Sequence, residues 1–301
     1  METPDDNKQV KMHPDEIAIG AGLVRALLTE QFPQFASLPL KLVRSTGTVN
    51  AIYRLGEHLS VRLPRSAAWA GDIEREWALL PKIGPHISLQ IPQPVAKGRP
   101  SAGYPHPWAI YRWIEGQPYR ADCIADQRQA ASDLANFILE LRQIDPQDGP
   151  PAGRRPLSEL DAATRSTIQK ATGAIDTAGV SAAWERALEA PAWDGRPLWM
   201  HADLLRSNLL VRDGRLCAVI DFGGAGVGDP AFDVVPAWSV FNQNGRATFR
   251  SALDVDQGTW ARARGYALHQ ALLIIPYYAE TNPRFVCEAK RTVAEVLSEL
   301  A

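Results

Sequence analysis

Apolar positions change rhythm several times along this chain, and the changes divide it. Over residues 17–28 they recur at three- and four-residue spacing, which predicts a helix. Three short strands are expected next, at 41–45, 49–55 and 59–63. Gly56-Glu57-His58 joins the last two. Residues 66–83 return to helical spacing, with Ile73, Trp77, Leu80 and Ile83 on one face. Strands at 94–97 and 108–113 flank a Pro/Gly-rich loop, 98–107. Beyond Gly116 the pattern turns helical. Residues 126–144 carry Leu134, Phe137, Ile138 and Leu141 on one face, and helices are expected at 157–175, 181–188, 259–278 and 285–300. The segment 145–156 is rich in Pro and Gly and reads as a loop.

The expected class is therefore α+β. A small, sheet-rich lobe with one main helix would occupy residues 1–110, a linker 111–116, and a larger, mostly helical lobe 117–301. One stretch of the larger lobe breaks the helical rhythm. The apolar runs 209–212 and 215–220 are separated by Asp213-Gly214, a hairpin pattern, because a type I′ turn needs positive φ at both central residues. Pairing the strands about that turn sets Asn208 opposite Val219, with Asp221 just beyond at the same open end.

The hairpin carries the chemistry. Its first strand follows His201-Ala202-Asp203-Leu204-Leu205-Arg206-Ser207-Asn208, which reads H-x-D-x-x-x-x-N, and its second ends in Asp221-Phe222-Gly223. A carboxylate near an attacking hydroxyl, plus an amide and a second carboxylate for a cation, are the groups that phosphoryl transfer from a nucleotide uses. Hard oxygen ligands such as Asn208 and Asp221 suit Mg2+, which completes its shell with phosphate and water. Asp203 is then the candidate catalytic base, and Arg206 a candidate for neutralising the γ-phosphate.

On these residues, and on the run Gly228-Asp229-Pro230-Ala231-Phe232-Asp233, the sequence resembles the aminoglycoside phosphotransferase family, the small-molecule branch of the protein-kinase-like fold. Residues 40–116 more weakly resemble a kinase amino-terminal lobe. The resemblance implies a bilobal fold, binding of Mg2+ and ATP (GTP being the alternative), and phosphorylation of a hydroxyl on a small molecule. It implies a phosphate-covering turn at Ser45, Thr46, Gly47 and Thr48, although a full G-x-G-x-x-G is missing. Arg62 occupies the place of the phosphate-gripping lysine, a departure from the pattern, with Glu76 as its expected partner and Glu74 as the alternative. The backbone groups of Arg112 and Ile114 are expected to meet the nucleobase. Asp229 and Asp233 are expected to brace the loop, and His201 to pack beneath it.

Net charge is -2, with a sequence pI near 6.3, so no broad basic face points to nucleic acid or to anionic membrane. Cys123, Cys217 and Cys287 are odd in number and widely spaced, which favours a reducing compartment, and no signal core opens the chain. A cytoplasmic enzyme is expected, acting on an antibiotic or related natural product. The alternatives are a housekeeping kinase for choline, homoserine, methylthioribose or a sugar, and a non-catalytic nucleotide-binding module. A protein kinase fits poorly, because Ala202 replaces the arginine of H-R-D and no A-P-E follows Asp221. A polycationic acceptor would need an acidic wall, yet Asp254, Asp256, Glu280 and Glu288 lie scattered among basic residues. Trp238, Phe241, Trp260, Tyr277 and Tyr278 are the candidates for a more apolar pocket.

Overall fold

The structure is a computed structural model that describes residues 15–43, 49–101 and 103–300. Its chain separates into two units: the described residues up to Gly84 with Pro92–Glu115, and Pro85–Ile91 with Gly116 onward.

The first unit is built on a five-stranded antiparallel sheet. Helix α1 (Ala21–Gln31) precedes β1 (Leu40–Leu42), β2 (Asn50–Leu55) and β3 (Leu59–Pro64). Helix α2 (Ala70–Ile83), β4 (Pro94–Gly98) and β5 (Trp108–Arg112) follow. The strand order is β1-β2-β3-β5-β4. Val24, Leu27 and Leu28 of α1 join Ala51, Tyr53, Leu55, Val61, Leu63, Trp108 and Ile110 in one buried core. Each of those side chains leaves water, at about 1.5–3 kcal/mol for a fully buried large apolar group. Helix α2 starts four residues later than its apolar spacing suggests, because a short 3-10 turn (Ala67–Trp69) takes up the approach. Its inner face is Ile73, Glu76, Leu79, Leu80 and Ile83. Trp77, expected there, is only half-buried, and Lys97 lies 5.7 Å from its ring. A glutamate sits in the buried row instead.

The second unit is mostly helical. Strand β6 (Gln117–Pro118) leads to α3 (Gln127–Arg142), α4 (Leu157–Lys170) and α5 (Thr177–Leu188). Helix α4 ends short of residue 175, in a turn where Gly173 takes φ 83°. Then come β7 (Leu198–Met200), β8 (Leu209–Arg212), β9 (Arg215–Val219) and β10 (Gly226–Gly228). Helices α6 (Pro236–Ser239), α7 (Gln243–Leu253), α8 (Gln257–Tyr277) and α9 (Pro283–Leu300) close the chain. Asp126 caps α3 by accepting the N–H groups of Arg128 and Gln129, and Asp256 caps α8 through Thr259. Among the described residues no helix is long and apolar enough to cross a membrane.

The β8–β9 hairpin forms about Asp213-Gly214, at φ 53° and 78°. Its register differs by one residue from the sequence expectation. Val219 pairs with Leu209, and Ile220 N–H donates to the Asn208 carbonyl at 2.9 Å. The cause is a bulge: Leu210 faces Ala218 but Val211 faces Leu216, so Cys217 is the extra residue on β9.

Candidate functional site

The segment between β7 and β8 is a tight loop held from below. Asp233, fully buried, accepts the N–H of His201 and the N–H of Ala202, both at 2.8 Å. Ala202 takes the left-handed conformation at φ 67°, which costs a non-glycine residue about 1 kcal/mol. Burial raises the Asp233 carboxyl to about 6 against those two N–H donors. His201 is also fully buried, 4.6 Å from the ring of Phe222. Its Nδ1 accepts the Asp203 N–H at 3.2 Å, and its Nε2 donates to the Ile220 carbonyl at 3.1 Å. These two bonds select the neutral tautomer, and burial lowers its pKa to about 4. His201 is thus a strut between the two arms of the hairpin.

Asp203 emerges from this loop with 30% of its side chain exposed. Asn208 Nδ2 donates to Asp203 Oδ2 and to the Asp203 backbone carbonyl, both at 2.9 Å, and Gln270 Nε2 donates to Asp203 Oδ1 at 3.3 Å. Arg154 Nη2 lies 3.8 Å from Oδ1 and donates to the Ala202 carbonyl. Burial raises the Asp203 carboxyl above its ordinary value. Arg154 opposes that rise, and the nearby Asp221 carboxylate adds to it. Asp221 stands at the end of β9, in a left-handed conformation at φ 69°.

Asp203 and Asn208 are therefore in direct contact, and Asp221 lies close enough to act electrostatically on both Asp203 and His201. Arg206 is not part of this group. Its Nη2 donates to the Val240 carbonyl at 2.7 Å and its guanidinium packs over Tyr119, so the expectation that it faces the γ-phosphate does not match its position. Asp229 grips Arg262 through both carboxylate oxygens, at 2.8 and 3.1 Å, and accepts the Ala231 N–H, a bracing role.

In the first unit, Arg62 Nη1 donates to Glu76 Oε1 at 2.6 Å, and Tyr111 donates to Oε2 at 2.7 Å. With its amide oxygen turned to the guanidinium, Asn50 accepts from Arg62 Nη2 at 3.0 Å and from Nε at 3.1 Å. Glu74, the alternative partner, is exposed and pairs with Lys97. The Arg112 N–H donates to the Gln93 carbonyl at 2.9 Å, so that donor is not open to a nucleobase; Ile114 is half-buried just beyond β5. Ser45, Thr46, Gly47 and Thr48 lie outside the described residues.

The sequence model of the phosphotransferase enzyme family matches residues 43–266, well over half of the chain and including both arms of the hairpin. The chain belongs to the phosphotransferase enzyme family. No curated protein sequence matches this phosphotransferase. Solved structures do. The GDP and kanamycin complex of APH(2")-IIIa is similar at 19% identity over 92% of this chain and 98% of its own, with a TM-score of 0.74. The streptomycin–ATP ternary complex of APH(2")-IIa follows at 18% identity, 94% and 97% coverage, and a TM-score of 0.60. The macrolide 2'-phosphotransferase MphH from Brachybacterium faecium is similar at 20%, over 91% and 97%, with a TM-score of 0.58. Those likenesses show the fold: the phosphotransferase has a kinase-like fold, with an antiparallel sheet in its amino-terminal unit and helices in its carboxy-terminal one.

Two residues of the site carried no mark in the sequence. Arg154 lies in an irregular Pro/Gly-rich loop with no periodicity to point it anywhere. Gln270 sits mid-helix in α8, where a glutamine reads as ordinary surface.

Proposed function

We propose that this phosphotransferase moves the γ-phosphoryl group of ATP, or of GTP, to a hydroxyl of a small molecule, an antibiotic or related natural product being the first choice. The observation that carries the reading is the Asp203 carboxylate, held by Asn208, Gln270 and Arg154 at the mouth of a loop whose backbone is pinned by Asp233.

Asp203 orients the acceptor hydroxyl and receives its proton. The hydroxyl oxygen bonds to the γ-phosphorus, the bond from that phosphorus to the β-bridging oxygen breaks, and the nucleoside diphosphate leaves. Such transfer passes through a loose transition state, so positioning contributes more than proton removal. Asn208 and Asp221 would hold Mg2+, which supplies positive charge against the phosphate oxygens. The donor set fits. Asn208 commits its amide nitrogen to Asp203, which leaves its oxygen as the donor, and the Asp221 carboxylate stands near that of Asp203. Among the described residues no cluster of three or more His, Cys, Asp or Glu could hold a metal. Arg62, fixed by Glu76, would bind a phosphate group of the nucleotide, with Ser45, Thr46, Gly47 and Thr48 as further phosphate contacts, and the Arg112 carbonyl and the Ile114 backbone would meet the base.

The antibiotic class is favoured by the similar solved structures, which are described as complexes with kanamycin and streptomycin and as a macrolide phosphotransferase. Transfer from labelled ATP and GTP to a panel of antibiotics and hydroxylated metabolites tests the reading. Label should appear on a small-molecule hydroxyl with the wild-type chain and disappear with Asp203→Asn. Undiminished transfer by Asp203→Asn would remove Asp203 from the mechanism.

A further inference from the structure

The two faces of the sheet in the first unit differ in chemistry. Ala51, Tyr53, Val61, Leu63 and Ile110 belong to the apolar core on one face. The strand registers place a different set on the other. Ile52 of β2 and Ala109 of β5 stand opposite Arg62 of β3, Asn50 stands opposite Pro64, and Tyr111 stands opposite Ser60. Side chains two positions apart share a face, so Asn50 and Tyr111 are diagonal neighbours of Arg62, one on each flanking strand. Ala109, fully buried, ends at its Cβ and leaves room beside the guanidinium. Glu76 meets this face from the buried side of α2.

All three nitrogens of the Arg62 guanidinium are bonded within this group. Nε and Nη2 donate to the Asn50 amide oxygen at 3.1 and 3.0 Å, and Nη1 donates to Glu76 Oε1 at 2.6 Å. Tyr111 donates to the other oxygen of that carboxylate at 2.7 Å. Asn50, Arg62, Glu76 and Tyr111 are all buried. Stability alone is a weak reason for such a group, because well-packed apolar side chains of similar volume often serve a buried position as well or better. Aiming a cation is a stronger one: contacts on two edges fix the plane of a rigid fork. Asn50 brings an uncharged acceptor, so it orients the guanidinium without cancelling its positive charge. A lysine ammonium has one nitrogen where this group engages three.

We infer that Asn50 is a positioning residue for the nucleotide: it sets the plane in which Arg62 meets a phosphate group, and it ties this site to arginine in place of lysine. This rests on the reading of Arg62 as a phosphate-binding residue. Calorimetric titration of the full chain with ATP and Mg2+, and with adenosine, which lacks phosphate, tests it. Asn50→Ala should raise the Kd for ATP about tenfold, as for loss of a hydrogen bond to a charged group, and the Kd for adenosine by less than about threefold. Arg62→Lys should weaken ATP at least as much. The double variant should be no weaker than Arg62→Lys alone, because Asn50 acts through a guanidinium that is no longer there. Fold-changes that multiply in the double variant would show that Asn50 acts independently and would overturn the inference. Equal weakening of ATP and adenosine, the mark of a loosened fold, would overturn it too. Asn50→Asp keeps the side-chain shape and takes the place of Asn50→Ala if the latter fails to fold. It sets a second carboxylate against one cation, so it should also weaken ATP and spare adenosine. Unchanged ATP affinity in the Asn50 variants sinks the inference and leaves the role of Arg62 standing. A wild-type chain that binds ATP no more tightly than adenosine removes the phosphate-binding role of Arg62, and this inference with it.

Discussion

Arg154 stands with Nη2 3.8 Å from Oδ1 of Asp203 while donating to the carbonyl of the intervening Ala202. The guanidinium also lies 5.3 Å from the ring of Phe232 and above Gly224, so it spans the loops that carry Asp203 and Asp221. A cation thus reaches the Asp203 loop from a segment remote in sequence. Arg154→Ala should lower kcat by about 10²-fold, the usual cost of one preorganised charge donor. The KM for ATP should change little. Steady-state kinetics decides it: an unchanged kcat removes Arg154 from the reaction centre. Arg154→Lys should recover only part of the loss, because an ammonium group cannot hold a carbonyl and a carboxylate in one plane.

Asp203→Asn keeps the size and the Gln270 contact but removes the proposed proton acceptor. Turnover should fall by about 10²–10⁴-fold, the range for loss of a general base. Nucleotide affinity, measured by calorimetry, should stay within a few-fold. A variant that loses nucleotide binding as severely as turnover would show that Asp203 acts on the nucleotide instead.

The buried Arg62–Glu76 pair predicts a different outcome. Glu76→Ala strands a guanidinium whose side chain is only 9% exposed, and should destabilise the amino-terminal unit by about 3–5 kcal/mol. Tyr111→Phe removes one hydrogen bond to the same carboxylate and should cost about 1–2 kcal/mol. Denaturant unfolding of each variant checks both. A Glu76→Ala loss no larger than that of Tyr111→Phe would mean that the pair is not the anchor of that helix.

Two buried groups beneath the Asp203 loop titrate in opposite senses. His201 falls from 6.5 to about 4 in the fold, so the stability it contributes is complete above pH 6.5 and is lost as pH drops toward 4. Asp233 rises from 3.8 to about 6, so its contribution is present below 3.8 and is lost as pH climbs through 6. Between pH 4 and 6 the two slopes offset. Asp233→Asn removes one of them. Its unfolding free energy should then rise with pH across that window more steeply than the wild type's, by about 1.4 kcal/mol per pH unit. Parallel pH profiles would contradict the assignment.

Some of this was legible in the sequence, for definable reasons. Period-2 and period-3.6 patterns located the sheet of the first unit and the long helices of the second, because each buries one face against a single core. The Asp213-Gly214 turn was legible because few residues tolerate its dihedrals. The hairpin register was legible only between the turn and the bulge: the extra residue, Cys217, leaves the apolar pattern intact while moving the partners beyond it by one. Glu76 escaped the binary pattern because a carboxylate matched to Arg62 and Tyr111 can occupy a core position. Trp238, Phe241 and Trp260 looked available for an acceptor pocket, yet all three are buried. Composition cannot tell an aromatic that lines a cavity from one that fills a core. Arg154 and Gln270 reach Asp203 from 49 residues before it and 67 after it, and only the fold joins them.

Ala202 and Asp221 both hold left-handed backbone conformations, on either side of the His201 strut. Glycine would adopt either shape without steric cost. A chain selected only for thermal endurance would place glycine where Ala202 stands, and would thereby loosen the dihedral that aims the neighbouring Asp203 carboxylate. The spot where this protein has the easiest gain in ruggedness is also where that gain does most harm to turnover.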